Sequence, residues 1–213
     1  AIHKTGVPLT EQRVVILGGG PAGIGIADLI KLAMVEQGLS EEEARSRFFI
    51  VGRHGLVTDA TPNLEPFQKA YVQDRANVAG WTLSGDRIGL CDVIHNVHPT
   101  VLVGVSGQSG AFTEEAIREM ASHVARPIIF PLSNPTSCVE ALPADIVRWS
   151  EGRAIVGTGS PFASIEYAGE MHHFAQTNNS YIFPGVGLAA LAVKSRRISN
   201  RMFLSAAEAL AAL

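Results

Sequence analysis

Short, apolar, β-branched runs alternate along this chain with longer stretches in which apolar residues return every three or four positions. The strand-like runs are Arg13–Leu17, Phe48–Val51, Val101–Val105, Ile128–Leu132 and Ala154–Gly157. They are apolar nearly throughout, as strands covered on both faces of a parallel sheet are. Helical spacing fills the stretches between them. Ile26, Leu29, Ile30 and Ala33 lay an apolar face on a helix from Pro21 to Gln37, with proline in its first turn and Gly38 as its stop. Ser40 and Glu43 read as a capping box for a short helix through Arg45. Further helices are predicted over Asp86–Val97, from Thr113 as an N-cap, and over Pro143–Trp149, Gly187–Lys194 and Ser199–Leu213. Residues 58–85 carry a poor signal with one helix around Phe67–Arg75, and residues 1–12 carry no predicted element. The alternation predicts an α/β fold, a doubly wound and mostly parallel sheet of Rossmann type, with 1–213 as a single domain.

Composition narrows the function classes. With 213 residues, 46% hydrophobic and 17% charged, the chain buries one substantial core. A net charge of −3 gives no electrostatic reason to expect nucleic acid or an anionic membrane as partner. No apolar run reaches the roughly 18 residues of a membrane span, and Ala1-Ile2-His3-Lys4 lacks a signal-peptide pattern, so a cytoplasmic location is expected. Cys91 and Cys138 lie far apart and form no C-x-x-C, which points to neither a disulfide framework nor a zinc site.

The chemistry falls where the strands end. In doubly wound sheets ligands bind beyond the carboxyl ends of the strands, where strand order reverses. Each apolar run here ends in a small or polar loop: Gly18–Gly23, Gly52–Gly55, Ser106–Gly110, Ser133–Thr136 and Thr158–Pro161. In the first, Gly18, Gly20 and Gly23 form G-x-G-x-x-G between a strand and a helix. Such glycines permit a tight turn, close approach of the backbone to a diphosphate, and close packing of helix on strand. The alternative is a glycine-rich turn that packs closely and binds nothing. After the second run, where many such folds present a ribose-binding acid, stand Gly52, Arg53 and His54, which would accommodate a 2′-phosphate or form a solvated turn.

Asn134 and the pair Asn178-Asn179 offer paired amide donors and acceptors for a carboxamide or a small acid, although Asn-Pro is also an ordinary turn starter. His172 and His173 are adjacent, which in a strand sends them to opposite faces, and Pro99 opposes a helical pairing of His95 with His98. Ser106 lacks the setting of a hydrolase nucleophile. The cleft loops hold no tight carboxylate cluster, so the chain reads as a cofactor half without an evident catalytic half.

Over nearly its whole length the sequence resembles the cofactor-binding domain of malic enzymes. The carriers are Ile16–Ala27, Gly104–Glu115, Pro131–Thr136, Thr158–Phe162 and Asn178–Gly185. The resemblance implies oxidative decarboxylation of L-malate to pyruvate and CO₂ with NAD or NADP and Mg²⁺ or Mn²⁺, in a full-length form that is a homo-oligomer. It implies cofactor contacts at Gly18, Gly20, Pro21, Ala22 and Gly23, at Gly52, Arg53 and His54, at Ser106 and Gly107, and at Ser133, Asn134 and Asn178. Asn134 and Asn179 are the residues it directs toward malate. The family's catalytic tyrosine and lysine and its metal-binding carboxylates precede the glycine motif, and nothing here matches them, so these residues are not expected to catalyse the reaction alone. Gly52 stands where NAD-dependent members usually carry an aspartate, which leads to the expectation that NADP is tolerated or favoured. A stand-alone NAD(P)-sensing module and a malolactic-type enzyme are the alternatives.

Overall fold

A computed structural model describes residues 1–212 of the chain. Its elements are α1 (Ile2–Thr5), β1 (Val14–Leu17), α2 (Pro21–Glu36), α3 (Glu41–Ser46), β2 (Phe48–Gly52), β3 (Gly55–Leu56), α4 (Arg75–Val78), α5 (Leu90–Val97), β4 (Val101–Gly104), α6 (Glu114–His123), β5 (Ile128–Pro131), α7 (Pro143–Trp149), β6 (Ile155–Thr158), β7 (Ile165–Tyr167), β8 (Glu170–His172), β9 (Ala175–Gln176), α8 (Phe183–Ala192) and α9 (Asn200–Ala211). Seven strands form one sheet in the order β3-β2-β1-β4-β5-β6-β9. Every pairing in it is parallel except that of the edge strand β3 with β2. The doubly wound reading holds.

β1 is central and fully buried, and alternate side chains serve opposite faces. Val15 and Leu17 join Val93, Ile94, Ile117 and Ile146 beneath α5, α6 and α7. Val14 and Ile16 join Ile24, Ala27, Met34 and Ala44 beneath α2 and α3. Register is set by this division, since a slip of one residue would exchange the two faces. Pro21 opens α2, and the capping box predicted at Ser40 and Glu43 is formed.

Where local pattern and structure differ, tertiary pairing decides. Residues 67–75 do not make one helix: Pro66–Tyr71 is a 3-10 turn, Val72 is extended, and Asp74 caps the separate α4. The break lets Gln73 bridge to Thr58 as in a parallel sheet, with Gln73 N–H donating to the Val57 carbonyl at 3.0 Å. The helix expected from Asp86 begins only at Leu90, because the Asp92 carboxylate turns back to accept from Ser84 and Gly89 and holds the intervening segment as a loop. α8 begins four residues before the expected Gly187, with Pro184 in its first turn. Residues 1–12, expected to lack elements, hold α1 and a 3-10 turn at Leu9–Glu11. The two- and three-residue strands β3, β7, β8 and β9 are too short to carry a period. Leu213, the predicted end of the last helix, lies outside the described residues.

Candidate functional site

Because the strands are parallel, β1, β2, β4, β5, β6 and β9 all deliver their carboxyl ends to one edge of the sheet. Strand order reverses at β1, with β2 on one side and β4 on the other. At this switch point Gly18 adopts φ +128°, and a Cβ there would lie 2.6 Å from the Val105 carbonyl oxygen. A Cβ on Gly23 would lie 2.0 Å from the Gly18 oxygen. Both glycines are therefore demanded by packing. Gly20 is different: nothing lies within 4 Å of the corresponding position. It is the N-cap of α2, no side chain caps the helix, and the residues around it, Pro21 and Ala22, are exposed. Unpartnered first-turn N–H groups and the helix dipole together favour an anion in that space. Gln68 steadies the loop, its Nε2–H donating to the Gly19 carbonyl at 2.7 Å.

β2 ends in a tight turn to β3, with Gly52 paired to Gly55 and Arg53 and His54 exposed at the tip. Gly55, at φ +91°, passes so close to the Ile88 carbonyl that a Cβ would sit 2.6 Å from its oxygen. The turn separates two cavities. One, of about 410 Å³, is lined by Gly19, Gly20, Gly52, Arg53, His54 and Gln68 among others. The other, of about 600 Å³, is lined by Leu17, Gly52, Arg53, Arg87, Asp92 and Gln108 among others. Burial pushes the Asp92 carboxyl up, but donations from the Ser84 hydroxyl and N–H and from Gly89 N–H outweigh it and hold the group below the usual carboxylate range.

The loops after β4 and β5 are locked together by a residue the sequence reading missed. Glu140 is fully buried. Its Oε1 accepts from Ser106 N–H at 2.8 Å, Ser106 Oγ–H at 2.9 Å and Ser133 Oγ–H at 2.5 Å. Gly107 N–H donates to Ser133 Oγ at 2.9 Å, so Ser106, Gly107 and Ser133 form one network. A lone acid in the apolar run Val139-Glu140-Ala141-Leu142 was the available signal.

Asn134 lies beyond Ser133, exposed, and its Oδ1 accepts a short hydrogen bond from Ser160 Oγ–H, tying the β5 and β6 loops. Gly159 allows this, since a Cβ there would lie 2.2 Å from the Leu132 oxygen. Asn178 and Asn179 follow β9, whose pairing continues as Thr177 N–H donates to the Thr158 carbonyl at 2.7 Å. They thus join the same edge as a sixth loop. Asn178 Oδ1 accepts from Ser180 N–H, while Asn179 is exposed.

Apart from His54 at the β2–β3 turn, the histidines His95, His98, His123, His172 and His173 have partners of their own. His98 ends α5 in a left-handed conformation and stacks on His123 with ring centroids 3.7 Å apart. His95 and His123 both reach Glu119. His172 meets Tyr167 edge-on, and His173 Nδ1 lies 2.8 Å from Ser164 Oγ. Burial pushes the Cys91 thiol up. Among the described residues no three His, Cys, Asp or Glu side chains gather in a metal-binding arrangement. Among the described residues no helix is long and apolar enough to cross a membrane.

A doubly wound sheet with an uncapped, glycine-fronted helix N-terminus at its switch point defines a Rossmann-type dinucleotide-binding domain. This chain belongs to the malic enzyme family: the family described as "Malic enzyme, NAD binding domain" matches residues 1–213. It is 53% identical over 211 residues to the NAD-dependent malic enzymes of Edwardsiella ictaluri and of Pectobacterium carotovorum subsp. carotovorum, covering 99% of this chain and 37% of each relative. It therefore spans little more than a third of their length. The crystal structure of Entamoeba histolytica malic enzyme matches the fold with TM-score 0.68 at 22% identity, over 95% of this chain and 36% of that one. The NAD-dependent malic enzyme structure from Thermotoga maritima matches with TM-score 0.61 at 23% identity, over 87% and 40%.

Proposed function

We propose that residues 1–213 are the cofactor-holding domain of an enzyme that oxidatively decarboxylates L-malate to pyruvate and CO₂. The observation that carries this reading is the open space in front of Gly20 at the uncapped end of α2, framed by two glycines that packing alone demands. There the first-turn N–H groups beyond Pro21, at Ala22 and Gly23, would hold the dinucleotide diphosphate. The adenosine half would lie toward Gly52, Arg53 and His54. The nicotinamide half would lie over Ser106, Gly107 and Ser133, with Asn134 and Asn178 binding its carboxamide end and Asn134 and Asn179 orienting malate.

When bound, the nicotinamide supplies the hydride acceptor for the malate carbinol carbon. The chain's own part is to fix that acceptor and exclude alternative orientations of the two reactants, which is the positional share of catalysis. The Mg²⁺ or Mn²⁺ ligands and the acid and base groups are assigned to parts of the enzyme outside these residues; among the described residues no donor set for a metal is gathered. The full-length enzyme would act as a homo-oligomer in the cytoplasm.

NAD is the cofactor named in the family description and in the names of the relatives. The turn after β2 carries no carboxylate to repel a 2′-phosphate, and Arg53 and His54 are exposed beside it with Arg87 lining the same cavity as Arg53. This supports use of NADP as well as NAD. Titration of the full-length protein with both cofactors, with products resolved as pyruvate or lactate, tests the proposal. Pyruvate formation supports it; lactate would assign the malolactic reaction, and cofactor binding without any turnover a sensing module. NAD binding at least tenfold tighter than NADP would remove the NADP reading.

A further inference from the structure

Glu140 is a fully buried acid whose setting calls for a charge. The Ser106 and Ser133 hydroxyls already accept, from Gln108 N–H at 3.1 Å and Gly107 N–H at 2.9 Å, and so turn their own protons on Glu140. Ser106 N–H and, at 3.4 Å, Ser133 N–H complete a shell made only of donors. An acceptor-only group, the ionised carboxylate, is what such a shell fits. The ion pairs among the described residues do not include Glu140, so hydrogen bonds alone hold this charge. Room for it is made by Gly104, where a Cβ would lie 2.5 Å from the Glu140 Cδ.

This uncompensated charge lies directly under the two loops to which the nicotinamide end is assigned. The oxidised nicotinamide ring carries a positive charge and the reduced ring carries none. A buried carboxylate acts on such a charge through a medium of low effective dielectric, where the interaction extends much further than in water. We propose that Glu140 is a positioning and specificity-determining residue: through Ser106 and Ser133 it fixes the nicotinamide loops, and its charge favours the oxidised over the reduced cofactor. The inference rests on the dinucleotide reading of this site.

The two roles separate by mutation. Oε1 receives the three short donations and Oε2 only the 3.4 Å contact from Ser133 N–H. In Glu140→Gln the amide oxygen therefore takes the Oε1 place and the amide nitrogen the other, so the three Oε1 donations survive, only the 3.4 Å contact from Ser133 N–H is lost, and the charge is gone. Ser133→Ala does the opposite, keeping the charge and loosening the loops. The experiment measures the dissociation constants of oxidised and reduced cofactor on the protein at its full natural length. Glu140→Gln is expected to shift the ratio of the two constants by about fivefold or more against the oxidised form. Ser133→Ala is expected to weaken both forms by a similar factor with the ratio kept within about twofold.

If Glu140→Gln weakens both forms equally, the charge has no role and the inference is overturned. If that variant does not fold, Ser106→Ala combined with Ser133→Ala carries the test: with both hydroxyl donors gone, most of the hydrogen bonds that hold the charge are lost, so preference for the oxidised form must fall, and an unchanged ratio overturns the inference. Failure of the wild-type protein to bind either form instead overturns the underlying assignment of the site.

Discussion

Gly104 and Glu140 occupy one shared volume at the end of β4: the glycine supplies by the absence of a side chain the space that the buried carboxylate fills. Gly104→Ala places a methyl 2.5–2.8 Å from three Glu140 side-chain atoms. The expected cost is about 1–3 kcal/mol of stability, through overpacking and disturbance of the hydrogen bonds to Ser106 and Ser133. Denaturant unfolding of the variant measures it; a loss below about 0.5 kcal/mol would contradict the shared-volume account.

Two glycines of α2 are expected to respond in opposite senses to the same methyl. Gly23→Ala meets the Gly18 oxygen at 2.0 Å and is expected to cost about 3 kcal/mol or more, since neither partner is the end of a flexible side chain. Gly25→Ala meets nothing within 4 Å and is expected to stabilise the helix by about 0.5–1 kcal/mol. Thermal melts of the pair check the contrast, and equal losses at both positions would refute it.

Stability is expected to fall as the pH is lowered through the range near 6.5. Burial, followed by the charge of neighbouring His123 and then Arg13, lowers the His98 pKa, with Glu119 opposing and His95 adding slightly. The unfolded chain then binds more protons at His98 than the folded one, and linkage turns that difference into lost stability on acidification. The loss begins near the ordinary histidine value and ends at the lowered folded value. Asparagine tolerates the left-handed backbone of this position, φ 48°. His98→Asn is therefore expected to flatten the stability profile on the acid side of the ordinary histidine value, about 6.5; an unaltered slope would assign the pH dependence elsewhere.

Cofactor choice is expected to answer to Gly52. Gly52→Asp places a carboxylate at the end of β2, where it accepts from a ribose hydroxyl and repels a 2′-phosphate. The ratio of NAD to NADP affinity is expected to rise by about tenfold or more. A ratio that stays constant would place the adenosine ribose away from this turn.

The fold was legible because its central strands are buried on both faces and so read as unbroken apolar runs, Val14–Leu17 and Phe48–Val51 above all. The glycine loop was legible because steric demand at Gly18 and Gly23 leaves no other residue type. What local pattern did not reveal depends on partners remote in sequence. β9 has two residues and exists because it extends the sheet beside β6, yet it is what carries Asn178 and Asn179 to the common edge. Glu140 acquires its meaning from Ser106, 34 positions away, and from the space at Gly104. The loop from Thr58 to Gly89 is organised by Gln73 and Asp92, polar residues that act on backbone distant from themselves and leave no period.

The open space at Gly20 is proposed to receive a dinucleotide diphosphate. Gly20 has ordinary extended backbone, φ −82°, and a Cβ there touches no protein atom within 4 Å, so Gly20→Ala is expected to fold with unchanged stability. Calorimetric titration with NAD of the full-length wild-type protein and this variant is the direct measurement. Saturable binding to the wild type is expected, weakened about tenfold or more in the variant with the melting temperature preserved; equal affinity in the two proteins would place the diphosphate elsewhere.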